Sequence, residues 1–288
     1  DRHAESPHHH LVQGCIPAPT WKLDIRMKIA LIQFKPAFLD LEKNLQRAVE
    51  MLESISADVA VFPELFLSGY TFADENQARA CALPFAEGPH LTPLLRISRK
   101  KSMAVCGGYA EMDGPDLYNS AFFMADGHLK HNYRKVHLFN KEKLYFRPGN
   151  KGFTVFNYQG TAMGMMICFD WIFPEAARSL ALQGAQVILH PANLVLPYCQ
   201  QAMFARALEN RVFIITVNRV GTETAEAESN TFTGQSQIVS PKGGYLVRMS
   251  KDHEQVENVS IDPDQALDKN ITPFNHVLED RRKALYAL

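Results

Sequence analysis

The chain has 288 residues, 46% of them hydrophobic and 21% charged, with a formal net charge of −1. That length builds one large α/β domain or two small ones, and the near-neutral balance gives no electrostatic reason to expect a nucleic-acid or anionic-membrane partner. No run of about 18 apolar residues is present to span a bilayer, and five cysteines (Cys15, Cys81, Cys106, Cys168, Cys199) without short repeated spacing argue against a disulfide framework or a CxxC zinc site, so no metal or other cofactor is expected and a reducing cytosol fits best.

Residues 1–26 hold Pro7-His8-His9-His10, Gly14, Pro17 and Pro19 without an apolar core or a signal-peptide shape, and read as a disordered leader, either an expression-tag remnant or an upstream extension. The first good strand is Lys28–Phe34. Apolar residues at Leu41, Leu45, Val49, Leu52 and Ile55 have helical spacing and predict a helix over 41–56. Val59–Phe62 reads as a short buried strand. Leu91–Lys101 reads as a helix whose closing basic cluster suits its C-terminus. Met103–Tyr109 and Asn119–Met124 are predicted strands, with Asp126-Gly127 as a hairpin turn. Ala162–Ile167 is a strand, Glu175–Leu182 a helix closed by Gly184, Val187–His190 a strand, Gln200–Arg211 a helix and Val212–Asn218 a strand. Ser236–Ser240 and Tyr245–Met249 pair around Pro241–Gly244. No internal repeat or low-complexity linker is visible. Residues 27–262 read as the folded domain, and 263–288 as a mixed polar tail.

The strand Ala162–Ile167 stops at a cysteine, and the chain re-enters as a helix with Pro174 near its first turn and Glu175 beside the positive end of the helix dipole. A thiol at such a corner sits at the mouth of a sheet, where backbone N–H groups can stabilise a thiolate and later an oxyanion. Two other strand ends supply what the thiol would need. Glu64 follows Asp58-Val59-Ala60-Val61 directly, and Lys135 lies in the basic run Tyr133-Arg134-Lys135-Val136-His137. Alone, each has a bland reading: a packed cysteine, a surface or capping acid, a solvated lysine. Three together, each closing a strand-end pattern in the order Glu, Lys, Cys, are a stronger signal.

These segments resemble the nitrilase, or carbon–nitrogen hydrolase, superfamily. The resemblance rests on Phe62-Pro63-Glu64-Leu65 with Ser68-Gly69-Tyr70, on Arg134-Lys135-Val136-His137-Leu138, and on Ile167-Cys168-Phe169-Asp170 with Phe173-Pro174-Glu175. It continues through 184–188, His190-Pro191-Ala192-Asn193, 206–211 and Asn218-Arg219-Val220-Gly221, covering nearly everything from Met27 to about residue 260. The Cys168-Phe169-Asp170-Trp171 corner and the 190–198 stretch are similar to archaeal members known as nitrilases or amidases. The resemblance implies a four-layer αββα sandwich, whereas periodicity alone equally allows one doubly wound sheet. It also implies a homodimer or larger homo-oligomer, with the 263–288 tail as an arm bracing a subunit contact.

Splitting an unactivated C–N bond needs a nucleophile, a stabilised oxyanion and a proton for the departing nitrogen. The resemblance assigns these to Cys168 as nucleophile, Glu64 as base and acid, and Lys135 as fixed cation, with the Phe169 N–H as a second oxyanion donor. Each role also suits the residue's own chemistry. Glu142, in Asn140-Lys141-Glu142-Lys143, is implied as an accessory acid that orients the substrate or Lys135; its alternative is an exposed acid between two lysines. His137, on a strand, would share the face of Lys135. His190 reads as a satisfied structural histidine. Neither has a papain-like context, so a Cys–His protease is the weaker reading.

Tyr70, Phe146, Trp171, Asn193 and Tyr198 are pocket candidates. Family members acting on carboxylated N-carbamoyl substrates often carry arginine shortly after the nucleophile, where this chain has Trp171, Ile172 and Phe173. Strict nitrilases commonly have Trp-Glu after the cysteine, where this chain has Phe169-Asp170. The expected reaction is therefore cofactor-free hydrolysis of a small neutral aliphatic amide through a thioester, releasing ammonia. A nitrilase working through a thioimidate is the alternative, and an N-carbamoyl amidohydrolase a further one. A scaffold that has lost catalysis would have no chemical reason to keep all three residues. A metal-dependent amidase lacks an HxH or HExxH pattern outside the leader's histidines.

Overall fold

Alternation along the first strand sets the layers. In β1 (Met27–Gln33), Ile29 and Leu31 enter one apolar cluster while Ala30 and Ile32 enter another. Both faces are buried, so the strand reads as a nearly continuous apolar run. The computed structural model, which describes residues 26–286 apart from Glu87 and Ala227, shows what covers each face. Ala30 and Ile32 pack beneath α1 (Leu41–Ser54), together with Ala48 and Leu52 of that helix. Asp40 caps α1 by accepting from the Lys43 N–H at 3.1 Å.

The chain then runs through β2 (Val59–Val61), the short α2 (Glu75–Ala80) and α3 (Thr92–Lys101). Leu94, Leu95 and Ile97 of α3 join α1 on the same outer layer. β3 (Ala104–Asp113), β4 (Asp116–Ala125) and β5 (His128–Arg134) follow. Asp126 and Gly127 both take positive φ between β4 and β5, the conformation a two-residue hairpin turn requires. The single turn α4 (Glu142–Tyr145) and β6 (Val155–Tyr158) lead into β7 (Thr161–Met165). The second half comprises α5 (Pro174–Leu182), β8 (Val187–Ala192), α6 (Cys199–Asn210) and β9 (Phe213–Asn218). After these come the hairpin β10 (Val220–Ala225) and β11 (Glu228–Thr233), then β12 (Gln237–Val239), β13 (Tyr245–Arg248) and β14 (Gln255–Ile261).

Two six-stranded mixed sheets result, in the orders β14-β1-β2-β3-β4-β5 and β13-β12-β9-β8-β7-β6. They face one another: Ile29, Leu31, Val61 and Cys106 of the first share a cluster with Met165, Leu189 and Ile215 of the second, and Cys106 Sγ lies 3.7 Å from Met165 Sδ. Helices α5 and α6 cover the far side of the second sheet. A Cβ on Gly164 would strike Leu180 of α5. The architecture is a helix–sheet–sheet–helix sandwich.

The sheets share one pattern. Read from β14 and from β6, successive neighbours are antiparallel, parallel, parallel, antiparallel and antiparallel in both. The halves repeat in topology though not in residues. Several elements carry weak local signals and are absent from the sequence reading, among them α2, β6, the β10–β11 hairpin and β14. The predicted leader lies outside the described residues apart from Arg26. Beyond β14, the chain forms a short 3-10 turn and the small hairpin β15 (Asn270–Thr272) and β16 (Asn275–His276).

The segment after β2 lies directly on β3. Phe62 N–H donates to Cys106 O at 2.8 Å, Gly108 N–H to Pro63 O at 2.9 Å, and Phe66 N–H to Gly108 O at 3.0 Å. This approach is closer than a side chain allows. A Cβ on Gly108 would stand 2.5 Å from Glu64 Cα and 2.6 Å from the Leu65 nitrogen. Gly108→Ala is expected to lower the unfolding free energy by about 1–3 kcal/mol through overpacking and to displace Glu64. Urea unfolding checks this; an unchanged midpoint would show that the corner yields freely.

Candidate active site

Cys168 stands on a sharp corner. β7 ends at Met165, and Cys168 opens a 3-10 turn over Cys168–Ile172 before Pro174 starts α5. Its φ is +40°, a left-handed conformation that is uncommon for a non-glycine residue. His190 on β8 helps to hold it. Burial pushes its pKa down, and the neutral ring lies with Nε2 3.0 Å from the Cys168 carbonyl oxygen and Nδ1 3.1 Å from Thr216 Oγ1. The Cys168 thiol lies 3.7 Å from the Asn193 carbonyl oxygen.

The opposite sheet contributes the charges. Lys135 Nζ donates to Glu64 Oε1 at 2.7 Å and to Glu142 Oε1 at 2.8 Å. Glu64 and Lys135 are fully buried and Glu142 is 1% exposed. Asn119 on β4 donates to Glu64 Oε1 at 2.7 Å, and Tyr70 donates its hydroxyl to Glu142 Oε1 at 2.8 Å. Backbone geometry holds Lys135 in place: its N–H donates to Asn119 O, and its carbonyl accepts from Gly149 N–H, both at 2.8 Å. Glu64 Oε2 is buried and has no hydrogen-bond partner among the described residues.

The electrostatics are those of a buried site. Burial opposes the Lys135 ammonium, yet the Glu142 and Glu64 carboxylates hold its pKa well above the usual lysine value. Burial raises Glu142, against the pull of Lys135 and with the push of Glu64. Burial, then Glu64, pushes the Cys168 pKa well up, against the pull of Lys135.

The structure brings Glu64, Lys135, Glu142 and Tyr70 into one network, and Cys168, Trp171 and Asn193 onto one cleft. That narrow cleft is lined by Phe139, Cys168, Phe169, Trp171, Asn193, Leu194, Val195 and Leu196. Two pocket candidates stand elsewhere. Phe146 packs edge-on against Phe72 and Tyr145 and borders a neighbouring groove. Tyr198 is 61% exposed ahead of α6 and is not among the cleft residues. His137 is not on a strand, because β5 ends at Arg134; its Nδ1 lies 2.7 Å from Asp170 Oδ1.

Sequence reasoning passed over Asn119, Asp170 and the Arg219–Glu223 pair. Asp170 is fully buried and surrounded by donors from two segments. Arg219 Nη1 donates to Glu223 Oε2 at 2.8 Å, and Glu223 Oε1 accepts the N–H groups of Tyr70 and Thr71 at 2.8 and 2.6 Å. The β10 strand thereby holds the Tyr70 loop. Asp170, two residues after the cysteine, offered a readable signal; Asn119 and Glu223 offered none, since only tertiary folding places them here. Among the described residues no group of three or more His, Cys, Asp or Glu side chains is arranged to hold a metal ion.

The fold sets a buried cysteine on one sheet of an αββα sandwich and a buried carboxylate–lysine cluster on the other. Residues 28–267 match the family model for carbon-nitrogen hydrolases. The chain is 41% identical over 263 residues to a nitrilase of Pyrococcus abyssi (strain GE5 / Orsay), covering 90% of this chain and 99% of that protein. It is 35% identical over 264 residues to an (R)-stereoselective amidase of Pseudomonas sp, covering 90% and 93%. An amidase from Nesterenkonia sp. has a similar structure, with TM-score 0.73, 26% identity, and coverage of 90% of this chain and 94% of that one; a mutant of that amidase shows covalent addition of the acetamide moiety of fluoroacetamide at its active site cysteine. The chain belongs to the carbon–nitrogen hydrolase family, within the nitrilase superfamily.

Removing the ammonium would leave two buried carboxylates facing each other. Lys135→Met is expected to cost about 3–5 kcal/mol of stability at neutral pH, the usual effect of breaking a buried ion pair. The sign of its pH dependence follows from Glu142, whose folded pKa is raised. A group of this kind gives stability below its unfolded pKa and loses it as pH rises through the folded value. The penalty should therefore shrink as pH falls toward the ordinary carboxylate range. Denaturant unfolding of wild type and variant across pH checks this; a pH-independent penalty would contradict it.

Proposed function

We propose that the protein hydrolyses a small, neutral aliphatic amide to the acid and ammonia through a thioester on Cys168. The observation that carries this reading is the buried Glu64–Lys135–Glu142 cluster, with Glu64 Oε2 left unpartnered among the described residues, whose charges act on the Cys168 thiol. Glu64 takes the thiol proton as sulfur attacks the amide carbon. Lys135 and the Phe169 N–H stabilise the resulting oxyanion. The C–N bond then breaks, and the proton on Glu64 passes to nitrogen, which leaves as ammonia. Water attacks the thioester with Glu64 again as base, releasing the acid and restoring the thiol. Glu142 holds Lys135, and Tyr70 holds Glu142.

The cleft favours an uncharged acyl group. Its lining is Phe139, Phe169, Trp171, Leu194, Val195 and Leu196 with Cys168 and Asn193, and no arginine or lysine is among these residues to pair with a substrate carboxylate. The covalent acetamide adduct on the related amidase supports amide-sized ligands at such a cysteine. The 41% identity to a nitrilase keeps nitrile hydrolysis through a thioimidate as the second reading. The exposed Ile271 and Phe274 beyond residue 263 support a role for that segment as an arm across a second copy. Four free, buried cysteines among the described residues suit a reducing compartment such as the cytosol; no described helix is long and apolar enough to cross a membrane.

Ammonia release from acetamide, propionamide and butyramide, their nitriles and N-carbamoyl compounds tests the reading. Wild type is expected to prefer the amides, Cys168→Ala to lose turnover, and Glu64→Gln to lose about 10²–10⁴-fold. Substantial turnover by Cys168→Ala would overturn the mechanism. A preference for nitriles or N-carbamoyl compounds would replace the substrate class.

A further inference from the structure

The Asp170 carboxylate takes two donors on each oxygen. Oδ1 accepts from the His137 N–H at 3.2 Å and lies 2.7 Å from His137 Nδ1. Oδ2 accepts from the Tyr133 hydroxyl at 2.7 Å and the Ile167 N–H at 2.9 Å. One of the four donors belongs to the corner that carries Cys168. The other three belong to the segment that carries Lys135, on both sides of that residue. Tyr133 closes the loop by accepting from the Val136 N–H at 3.2 Å, and His137 stacks on Phe173, with ring centroids 3.8 Å apart.

Capping the 3-10 turn at Ile167 would need one acceptor. Any short polar side chain could supply it without the desolvation cost of a buried carboxylate. Accepting four donors needs both oxygens of a carboxylate. An asparagine keeps one accepting oxygen and turns an NH2 group toward donors. No lysine or arginine pairs with Asp170 in the described network, so hydrogen bonding, with His137 beside it, compensates its burial.

We propose that Asp170 is a positioning residue, a clasp between the two sheets that fixes the Cys168 sulfur relative to the Lys135 ammonium. This rests on the reading of Cys168 as nucleophile and Lys135 as its cation. Asp170 touches neither substrate nor reacting atoms. Its effect arises because a displacement of about 1 Å between reacting groups can cost on the order of 100-fold in rate.

The test is steady-state kinetics on the best amide, with unfolding measured alongside. Asp170→Asn is expected to lower kcat by about 10–100-fold with KM within about threefold of wild type. Tyr133→Phe and His137→Phe each remove a single donor while keeping an aromatic ring, and serve if Asp170→Asn does not fold. Each should lower kcat several-fold at nearly unchanged KM, and the double variant should fall short of the product of the two effects, because both act through one carboxylate. Unchanged kcat with lowered stability, equal changes in kcat and KM, or fully multiplicative effects would overturn the clasp and leave Asp170 a structural group. Cys168→Ala separates the two levels. Loss of turnover there with normal kcat in the clasp variants defeats only this inference, whereas retained turnover in Cys168→Ala defeats the underlying reading.

Discussion

A lysine ammonium lies 2.7 Å from one carboxylate and 2.8 Å from another, in a place where none of the three side chains is more than 1% exposed. Each buried ion costs several kcal/mol of desolvation, recovered only with close geometry and saturated hydrogen bonding. Much of the surrounding structure meets that demand. Asn119 and Tyr70 occupy the carboxylates, Gly149 and Asn119 hold the lysine backbone, and Gly108 lets the Glu64 corner press against β3. On the proposed mechanism the same constraint is useful. A carboxylate held beside a fixed cation in a buried site needs no reorganisation when charge develops on the substrate.

The two-sheet architecture divides the labour. The first sheet brings Glu64 and Lys135 from just beyond the ends of β2 and β5 and Asn119 from within β4; the second brings His190 from within β8 and Cys168 and Asn193 from just beyond β7 and β8. Acid, cation and sulfur therefore meet only if the sheets dock in one register. Packing through Ile29, Leu31, Met165 and Leu189 sets that register coarsely. Polar ties across the gap refine it, among them the Asp170 hydrogen bonds and the Arg219–Glu223 hold on the Tyr70 loop. The repeated strand pattern gives both sheets parallel centres, whose strand ends point into the same region.

Elements with strong local signals were legible in the sequence. Apolar runs marked β1, β8 and β9, helical spacing marked α1, and Asp126-Gly127 marked its turn. Glu64 and Cys168 were legible for the same reason, since each follows an apolar strand, whereas Lys135 follows the polar strand β5 and was legible through the motif Arg134-Lys135-Val136-His137-Leu138. Two parts were hidden for physical reasons. The exposed strand β14 alternates weakly, and its identity comes from pairing with β1 more than 220 residues earlier. Asn119 and Glu223 have ordinary local contexts and gain meaning only from partners distant in the chain. Tyr198, an aromatic in a recognisable stretch, is largely exposed and stands apart from the cleft residues.

The central claim is that the buried cluster serves a covalent step at Cys168. The most direct measurement is intact-protein and peptide mass spectrometry of the wild type, acid-quenched during turnover of propionamide. A propionyl mass is expected on Cys168 alone, absent from Cys168→Ala and formed far more slowly in Glu64→Gln, which lacks the group that serves acylation. Turnover of propionamide by the wild type with no adduct on Cys168 under any quench would contradict a thioester pathway.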